Sequence, residues 1–175
     1  KAAIGLMAAT LVAKILGFGR EGKSTYHMLQ IVGGYESLTI ADKNAITDSV
    51  EATLLTGDAY QQTLNDYDIV FKSPGIVLEQ EYESYTCHIL SQTEVFFRRY
   101  REQIVGITGT KGKSTTTTLL YHILKEAGKD VVLAGNIGIP AFDIVKDITP
   151  DSIIVFEMSC HQLEYMTTSP RIGIL

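Results

Sequence analysis

The sequence is poor in cysteine, in excess positive charge and in long apolar runs, and each shortage excludes a class of protein. Only Cys87 and Cys160 occur, too few for a disulfide framework and without the paired spacing of a zinc site. That usage predicts a reducing, cytoplasmic setting. Lys and Arg total 15 against 20 Asp and Glu, a formal net charge of -5, so the chain lacks the broad positive field by which nucleic-acid binders hold phosphate backbones. No nucleic-acid partner is expected. The longest apolar stretch, Ala2 to Ala13, is about half the roughly 20 residues that span a bilayer, and no charged leader with a cleavage pattern accompanies it. Neither membrane insertion nor a signal peptide is predicted. Internal repeats and low-complexity tracts are absent as well.

What is present is a composition that folds. Of 175 residues, 45% are hydrophobic and 20% charged, which excludes intrinsic disorder and permits one sizeable core or two modest ones. The Ala, Leu and Met content of Ala2 to Ala13 suits a short helix, and its lack of polar residues predicts packing against the domain or a neighbour. From Lys14 onward, short β-rich runs alternate with longer helical ones across Gly, Asn or Asp turns, the pattern of parallel strands joined by crossover helices. The fold class is therefore α/β. Strands are predicted at Ile15-Leu16, Leu38 to Ala41, Asp68 to Lys72 and Cys87 to Leu90, with a helix over Lys23 to Val32. An Arg- and Tyr-rich helix over Thr93 to Glu102 reads as a seam between a Rossmann-like domain at 1–102 and a second nucleotide-type domain at 103–175. The second begins with the strand Ile104 to Thr108 and a helix whose Leu119, Leu120, Ile123, Leu124 and Ala127 are expected to form a buried face. Val131 to Ala134 and Ser152 to Phe156 read as further strands. Arg171 to Leu175 reads as the opening of another, so the chain is expected to be part of a longer protein.

Two glycine loops carry the chemistry. Gly17-Phe18-Gly19-Arg20-Glu21-Gly22 matches G-x-G-x-x-G between a strand and a helix, with Asp42 following 20 residues after Gly22. Glycines let the backbone approach a ligand at a helix N-terminus, where free N–H groups and the dipole favour an anion, while Asp42 can accept from a ribose or a base edge. Gly109-Thr110-Lys111-Gly112-Lys113-Ser114-Thr115 follows the strand ending at Thr108 and opens a helix, as a phosphate-binding loop does. Lys113 is placed to reach β- and γ-phosphates and Ser114 to hold Mg²⁺, with ATP the expected ligand. The strict pattern wants glycine where Ile107 stands, so this is a variant loop. Glu157, at the end of an apolar strand, is a candidate Mg²⁺ carboxylate. Turns at Lys72-Ser73-Pro74-Gly75 and Gly135-Asn136-Ile137-Gly138 fall at strand carboxyl ends, where open α/β sheets bind ligands, which makes Ser73 and Asn136 candidate substrate contacts. A nicotinamide-dependent oxidoreductase accounts for the first loop but not for GTKGKST, and a non-enzymatic nucleotide-binding module accounts for both.

GFGREG, the strand-end Asp42, KSPGI, TEVFF, ITGTKGKSTTT, GNIGIP and EMSCHQLE occur in this order, and together they resemble the Mur ligase family of peptidoglycan synthesis. The resemblance implies a UDP-binding N-terminal domain and the first part of a central ATPase domain. It is greatest to the member that joins D-glutamate to UDP-N-acetylmuramoyl-L-alanine, and a sibling with another amino acid is the alternative. By that resemblance Gly19, Arg20, Glu21, Asp42, Ser73 and Gly75 would border the UDP, and Gly109 to Thr115 would cradle ATP. Ser114 and Glu157 would hold Mg²⁺, Asn136 and Ser159 would contact the muramoyl-alanine end, and Lys113, Glu157 and Asn136 would serve catalysis in a monomer. Lys111 stands where the family usually has Asn, and Cys160-His161 replaces its usual Ser-Phe or Ser-Tyr. The family's amino-acid-binding domain would lie beyond Leu175, so these residues alone are not expected to turn over.

Overall fold

A computed structural model describes residues 11–175, and all nine strands in them run parallel to their neighbours. Two compact units divide between Gln92 and Thr93, earlier than the seam expected after Glu102. The physical reason lies in Phe96 and Phe97, fully buried against Phe156 at ring-centroid distances of 5.7 and 5.1 Å. These contacts give the body of the Arg-rich helix to the second unit.

In the first unit the strands β1 (Leu11–Leu16), β2 (Tyr35–Asp42), β3 (Thr53–Thr56), β4 (Ile69–Lys72) and β5 (His88–Leu90) form one sheet in the order β3-β2-β1-β4-β5. The order reverses beside β1, so β1 and β4 diverge in their connections and leave a crevice at their carboxyl ends. Helix α1 (Arg20–Val32) follows β1 across the glycine turn and ends at Gly33, in the left-handed region with φ 66°. Leu16, Ala41, Leu64, Val70, Leu78 and Ile89 form the core of one sheet face, with Tyr60, Tyr67, Tyr82 and Tyr85 packed around it. Lys14 is wholly buried in mid-strand. Its ammonium donates to the Gln62 carbonyl at 3.1 Å and lies 4.8 Å from the Tyr67 ring centroid. Burial pulls its pKa down, against the opposing pull of Asp66 and Cys87.

The second unit carries α2 (Gln92–Tyr100) from Thr93 onward, then β6 (Ile104–Ile107), α3 (Lys113–Glu126), β7 (Val131–Gly135), β8 (Ile153–Glu157), the single turn α4 (Cys160–Leu163) and β9 (Ile172–Ile174). Its sheet order is β7-β8-β6-β9. Among the described residues no helix is long and apolar enough to cross a membrane.

Several expectations change. Leu11 to Ala13 belong to β1, not to an opening helix, and the remainder of that predicted helix, residues 2–10, lies outside the described residues. Helix α1 starts at Arg20 instead of Lys23, because Gly22 is a packing residue inside the helix: a Cβ there would meet the Gly17 carbonyl oxygen at 2.0 Å. Strand β3 was not predicted, being four residues long and mostly exposed. The predicted buried face of α3 is also displaced. Leu119 and Ile123 are 58% and 56% exposed and Ala127 is exposed, while Thr117 is buried with Leu120 and Leu124 half-buried on its stripe. Apolar residues on α3 cover two adjacent stripes, and only one of them can face the sheet.

Candidate functional site

The first glycine turn is braced from within the unit. Gly17 donates its N–H to the Ala41 carbonyl at 2.7 Å, and the Phe18 N–H donates to Asp42 Oδ2 at 2.7 Å. Asp42 Oδ1 accepts from the Asn44 N–H at 2.8 Å and from its side-chain amide at 3.2 Å. From the other side Ser73 Oγ donates to the Gly17 carbonyl at 2.8 Å, and the Ser73 N–H donates to Leu16 at 2.8 Å. Asp42 and Ser73, expected as ligand contacts, thus hold the shape of the turn.

Gly19, Arg20 and Gly75 remain exposed on the rim, with Glu21 half-buried. Gly19 caps α1 without a side-chain hydrogen bond, which leaves first-turn N–H groups open, with Glu21 the acidic residue of that turn and Arg20 exposed beside it. The segment after β2 is tied down by the Lys23–Asp48 ion pair at 2.6 Å and by the Glu51 N–H donating to the Tyr26 hydroxyl at 2.9 Å.

In the second unit the loop 108–112 leaves β6 and enters α3 through Gly112, φ 80°, again with no side-chain cap and no acidic residue in the first turn. The helix N-terminus is therefore open to negative charge. Lys113 Nζ curls back to the Gly109 carbonyl at 2.9 Å. Ser114 and Thr115 are exposed.

Glu157 ends β8, pairing with Ile107 of β6 on one side and Gly135 of β7 on the other. It is 1% exposed. Its Oε1 accepts from the Asn136 side-chain amide at 2.8 Å, and its backbone carbonyl accepts the Asn136 N–H at 2.9 Å. Its Oε2 is buried with no hydrogen-bond partner among the described residues. The approach needs Gly135, φ 101°, where a Cβ would meet the Glu157 carbonyl oxygen at 2.1 Å. Asn136, expected to touch substrate, orients this carboxylate. A buried carboxylate oxygen without a donor is costly unless a cation or proton completes it, so the residues present fit a divalent cation.

Ser159 caps α4 in a reciprocal box: its Oγ accepts the Gln162 N–H at 3.2 Å, and Gln162 Oε1 accepts the Ser159 N–H at 3.0 Å. Gln162 belongs to the EMSCHQLE run of the sequence, and the S-x-x-Q spacing is the signature of such a box. Glu94 was missed. Its buried carboxylate accepts from Thr167 N and Oγ1, Thr168 N and Oγ1, and Arg98 Nε at 2.7 to 3.2 Å. Burial alone raises its pKa, but the hydrogen bonds from Thr167, Arg98 and Thr168 prevail and bring it down to about 2. Through those bonds α2 fixes the segment that follows α4.

The first sheet's order β3-β2-β1-β4-β5 with a glycine turn after its central strand, and the second sheet's order β7-β8-β6-β9 with a glycine loop entering a helix beside a buried carboxylate, define an α/β chain of Rossmann-like and P-loop fold. Residues 107–175 match the Mur ligase middle domain. The chain is 40% identical over 126 residues, 70% of its length, to a UDP-N-acetylmuramoylalanine--D-glutamate ligase of Clostridium kluyveri. It is 38% identical over 125 residues, 68% of its length, to the protein of that name from Acetivibrio thermocellus. The chain belongs to the Mur ligase family. It spans only 28% and 26% of those relatives' lengths. In fold it is similar to the UDP-N-acetylmuramate:L-alanyl-gamma-D-glutamyl-meso-diaminopimelate ligase of Neisseria meningitides, with TM-score 0.54 and 16% identity over 95% of this chain and 60% of the other.

Proposed function

We propose that the protein serves ATP-dependent amide-bond formation in peptidoglycan precursor synthesis, joining D-glutamate to UDP-N-acetylmuramoyl-L-alanine. The observation that carries this reading is the Glu157 carboxylate, held by Asn136 and left with one buried free oxygen at the strand end beside the phosphate loop. In this reading Gly109 to Thr115 cradle the ATP phosphates, and Lys113 leaves the Gly109 carbonyl to reach the β- and γ-phosphates. Ser114 and Glu157 would hold Mg²⁺, which supplies charge neutralisation for phosphoryl transfer when bound. Among the described residues there is no group of three or more metal-binding His, Cys, Asp or Glu side chains. Magnesium is commonly held by one or two carboxylates together with substrate phosphates.

A carboxylate oxygen of the alanine attacks the γ-phosphorus, the bond to the β,γ-bridging oxygen breaks, and ADP leaves with that oxygen, so that the phosphoryl group becomes an acyl phosphate. The D-glutamate amine then attacks the acyl carbon, phosphate departs, and the amine gives up a proton. Transfer onto an anionic carboxylate works against like-charge repulsion, which Lys113 and the open α3 terminus offset. On the first unit Gly19, Arg20, Glu21, Asp42, Ser73 and Gly75 would border the UDP, Asp42 and Ser73 also bracing the turn. Ser159 would contact the muramoyl-alanine end. The setting in this reading is the cytoplasm, and the acting form a monomer.

Binding separates this reading from its rivals. Titration with UDP-N-acetylmuramoyl-L-alanine and with NADH should show binding of the first alone, and ATP should bind independently. Preference for NADH would overturn the proposal. Grafted into a protein of the relatives' full length, these residues should support phosphate release with D-glutamate but not with L-glutamate or L-lysine.

A further inference from the structure

Between β3 and β4 the chain makes a tight turn, closed by the Tyr60 N–H on the Gly57 carbonyl at 3.2 Å and the Gln62 N–H on the Ala59 carbonyl at 2.9 Å. From within the sheet the buried Lys14 ammonium fixes this turn by donating to the Gln62 carbonyl at 3.1 Å. Thr63, a β-branched residue, takes a left-handed φ of 60° at its end, a conformation that persists only where the surroundings impose it. Gln61 projects from the braced turn and is 7% exposed. Its Nε2 donates to the Val77 carbonyl and to the Tyr60 hydroxyl, both at 2.9 Å, while its Oε1 is buried with no hydrogen-bond partner among the described residues. A carbonyl can only accept, so the Val77 contact fixes which way the amide faces and leaves Oε1 on the other side. A stranded acceptor is thus tolerated to keep one donor in place.

Val77 lies at the far end of the turn that begins at Ser73. Upstream, Ser73 is fastened by its N–H to the Leu16 carbonyl and by its Oγ to the Gly17 carbonyl, both at 2.8 Å. Downstream, Gln61 holds the Val77 carbonyl and Leu78 is buried in the core. Only Pro74, Gly75 and Ile76 lie between these fastenings. Proline locks its own φ, Gly75 sits at φ 80°, and Ile76 Cδ1 lies against Gly17, 2.6 Å from where a Cβ on that glycine would stand. A displacement of Val77 is therefore passed on to Gly75. We infer that Gln61 is a positioning residue of the first unit, its amide holding Gly75 at the height above the glycine turn that a nucleoside diphosphate needs, without itself touching the ligand. The inference rests on the reading proposed above, in which Gly75 borders the UDP.

Calorimetric titration with UDP-N-acetylmuramoyl-L-alanine and with ATP tests this on the wild type, Gln61→Met and Gln61→Glu, together with hydrogen exchange at the Ile76 amide, which donates to the Ser73 carbonyl at 3.4 Å. Methionine keeps the length and removes the donor, whereas glutamate keeps the shape and sets an acceptor against the Val77 carbonyl. Gln61→Met should weaken binding of the UDP compound by about 3- to 10-fold, the loss of one hydrogen bond, and Gln61→Glu by more. Both should leave ATP binding within about twofold, because the phosphate loop belongs to the other unit. Ile76 should exchange faster in the free variants and return to wild-type protection at saturating UDP compound. A lowered unfolding midpoint with unchanged affinity is the outcome of a packing role alone and overturns the inference, as does unchanged exchange at Ile76. Should both variants fail to fold, the wild type decides: the bound UDP compound must slow exchange at Ile76, and no slowing overturns the inference. The functional reading fails separately, and in a distinguishable way, if the wild type itself binds no UDP-N-acetylmuramoyl-L-alanine.

Discussion

Replacing Glu94 by glutamine isolates one buried charge and its hydrogen bonds. The carboxyl titrates at about 2 in the folded chain against an ordinary 4.5. At about 1.4 kcal/mol for each tenfold change in proton affinity, that difference corresponds to about 3 kcal/mol of stability. Because the folded value is the lower one, the stabilisation is complete above pH 4.5 and is lost as the pH falls toward 2. The side chain is only 3% exposed, so solvent screening takes little from this figure. Glutamine keeps the volume, but its amide must face donors from Thr167, Thr168 or Arg98. Glu94→Gln should therefore lower the stability of the second unit by about 2 to 3 kcal/mol at neutral pH, and by less than about 1 kcal/mol near pH 2. Urea unfolding followed by far-ultraviolet circular dichroism reads this directly, since the chain has no tryptophan to report by fluorescence. A variant as stable as the wild type at neutral pH, or a deficit that is the same at both ends of the pH range, would refute the assignment of this carboxylate as an ionised anchor.

Three further outcomes are expected. Lys113→Ala should weaken ATP binding by more than about tenfold and leave UDP-N-acetylmuramoyl-L-alanine binding within about twofold, measured by titration with each ligand. Gly22→Ala should cost at least about 2 kcal/mol in a thermal or urea melt, because its methyl group would overlap the Gly17 carbonyl oxygen. Asn136→Ala should reduce the affinity for magnesium-bound ATP by about 10-fold, with a smaller effect on ATP in chelator, since it frees Glu157 to reorient.

The loops were legible in the sequence because their demands are local: glycines at fixed offsets, a lysine and hydroxyl at a helix start, an apolar run before each. The parallel sense of the strands follows from the same alternation, but their order does not, since the two sheets run β3-β2-β1-β4-β5 and β7-β8-β6-β9. Long-range partnership was not legible. Asp42 meets Phe18 across 24 residues, Asn136 meets Glu157 across 21, and Glu94 meets Thr167 across 73. Each looks in isolation like a free polar side chain, so the hydrogen bonds by which Asp42, Ser73 and Asn136 brace the turns around them could not be read from the sequence. The start of α1 was hidden because glycine, a poor helix former, stands in its first turn. On α3, periodicity located the helix but could not choose between its two apolar stripes.

The strand orders also set a timetable for synthesis. Leu11–Leu16 acquires its neighbour Tyr35–Asp42 early, but its other neighbour, Ile69–Lys72, emerges only after the whole intervening chain. Ile104–Ile107 waits longer in relative terms, because both its neighbours, Ile153–Glu157 and Ile172–Ile174, follow Lys113–Glu126 and Val131–Gly135. During translation each central strand therefore carries an unpaired apolar edge, and non-local parallel pairing of this kind is slow to close and open to misassociation. The nascent second unit, centred on such a strand, is the stage at which chaperone engagement would act most strongly.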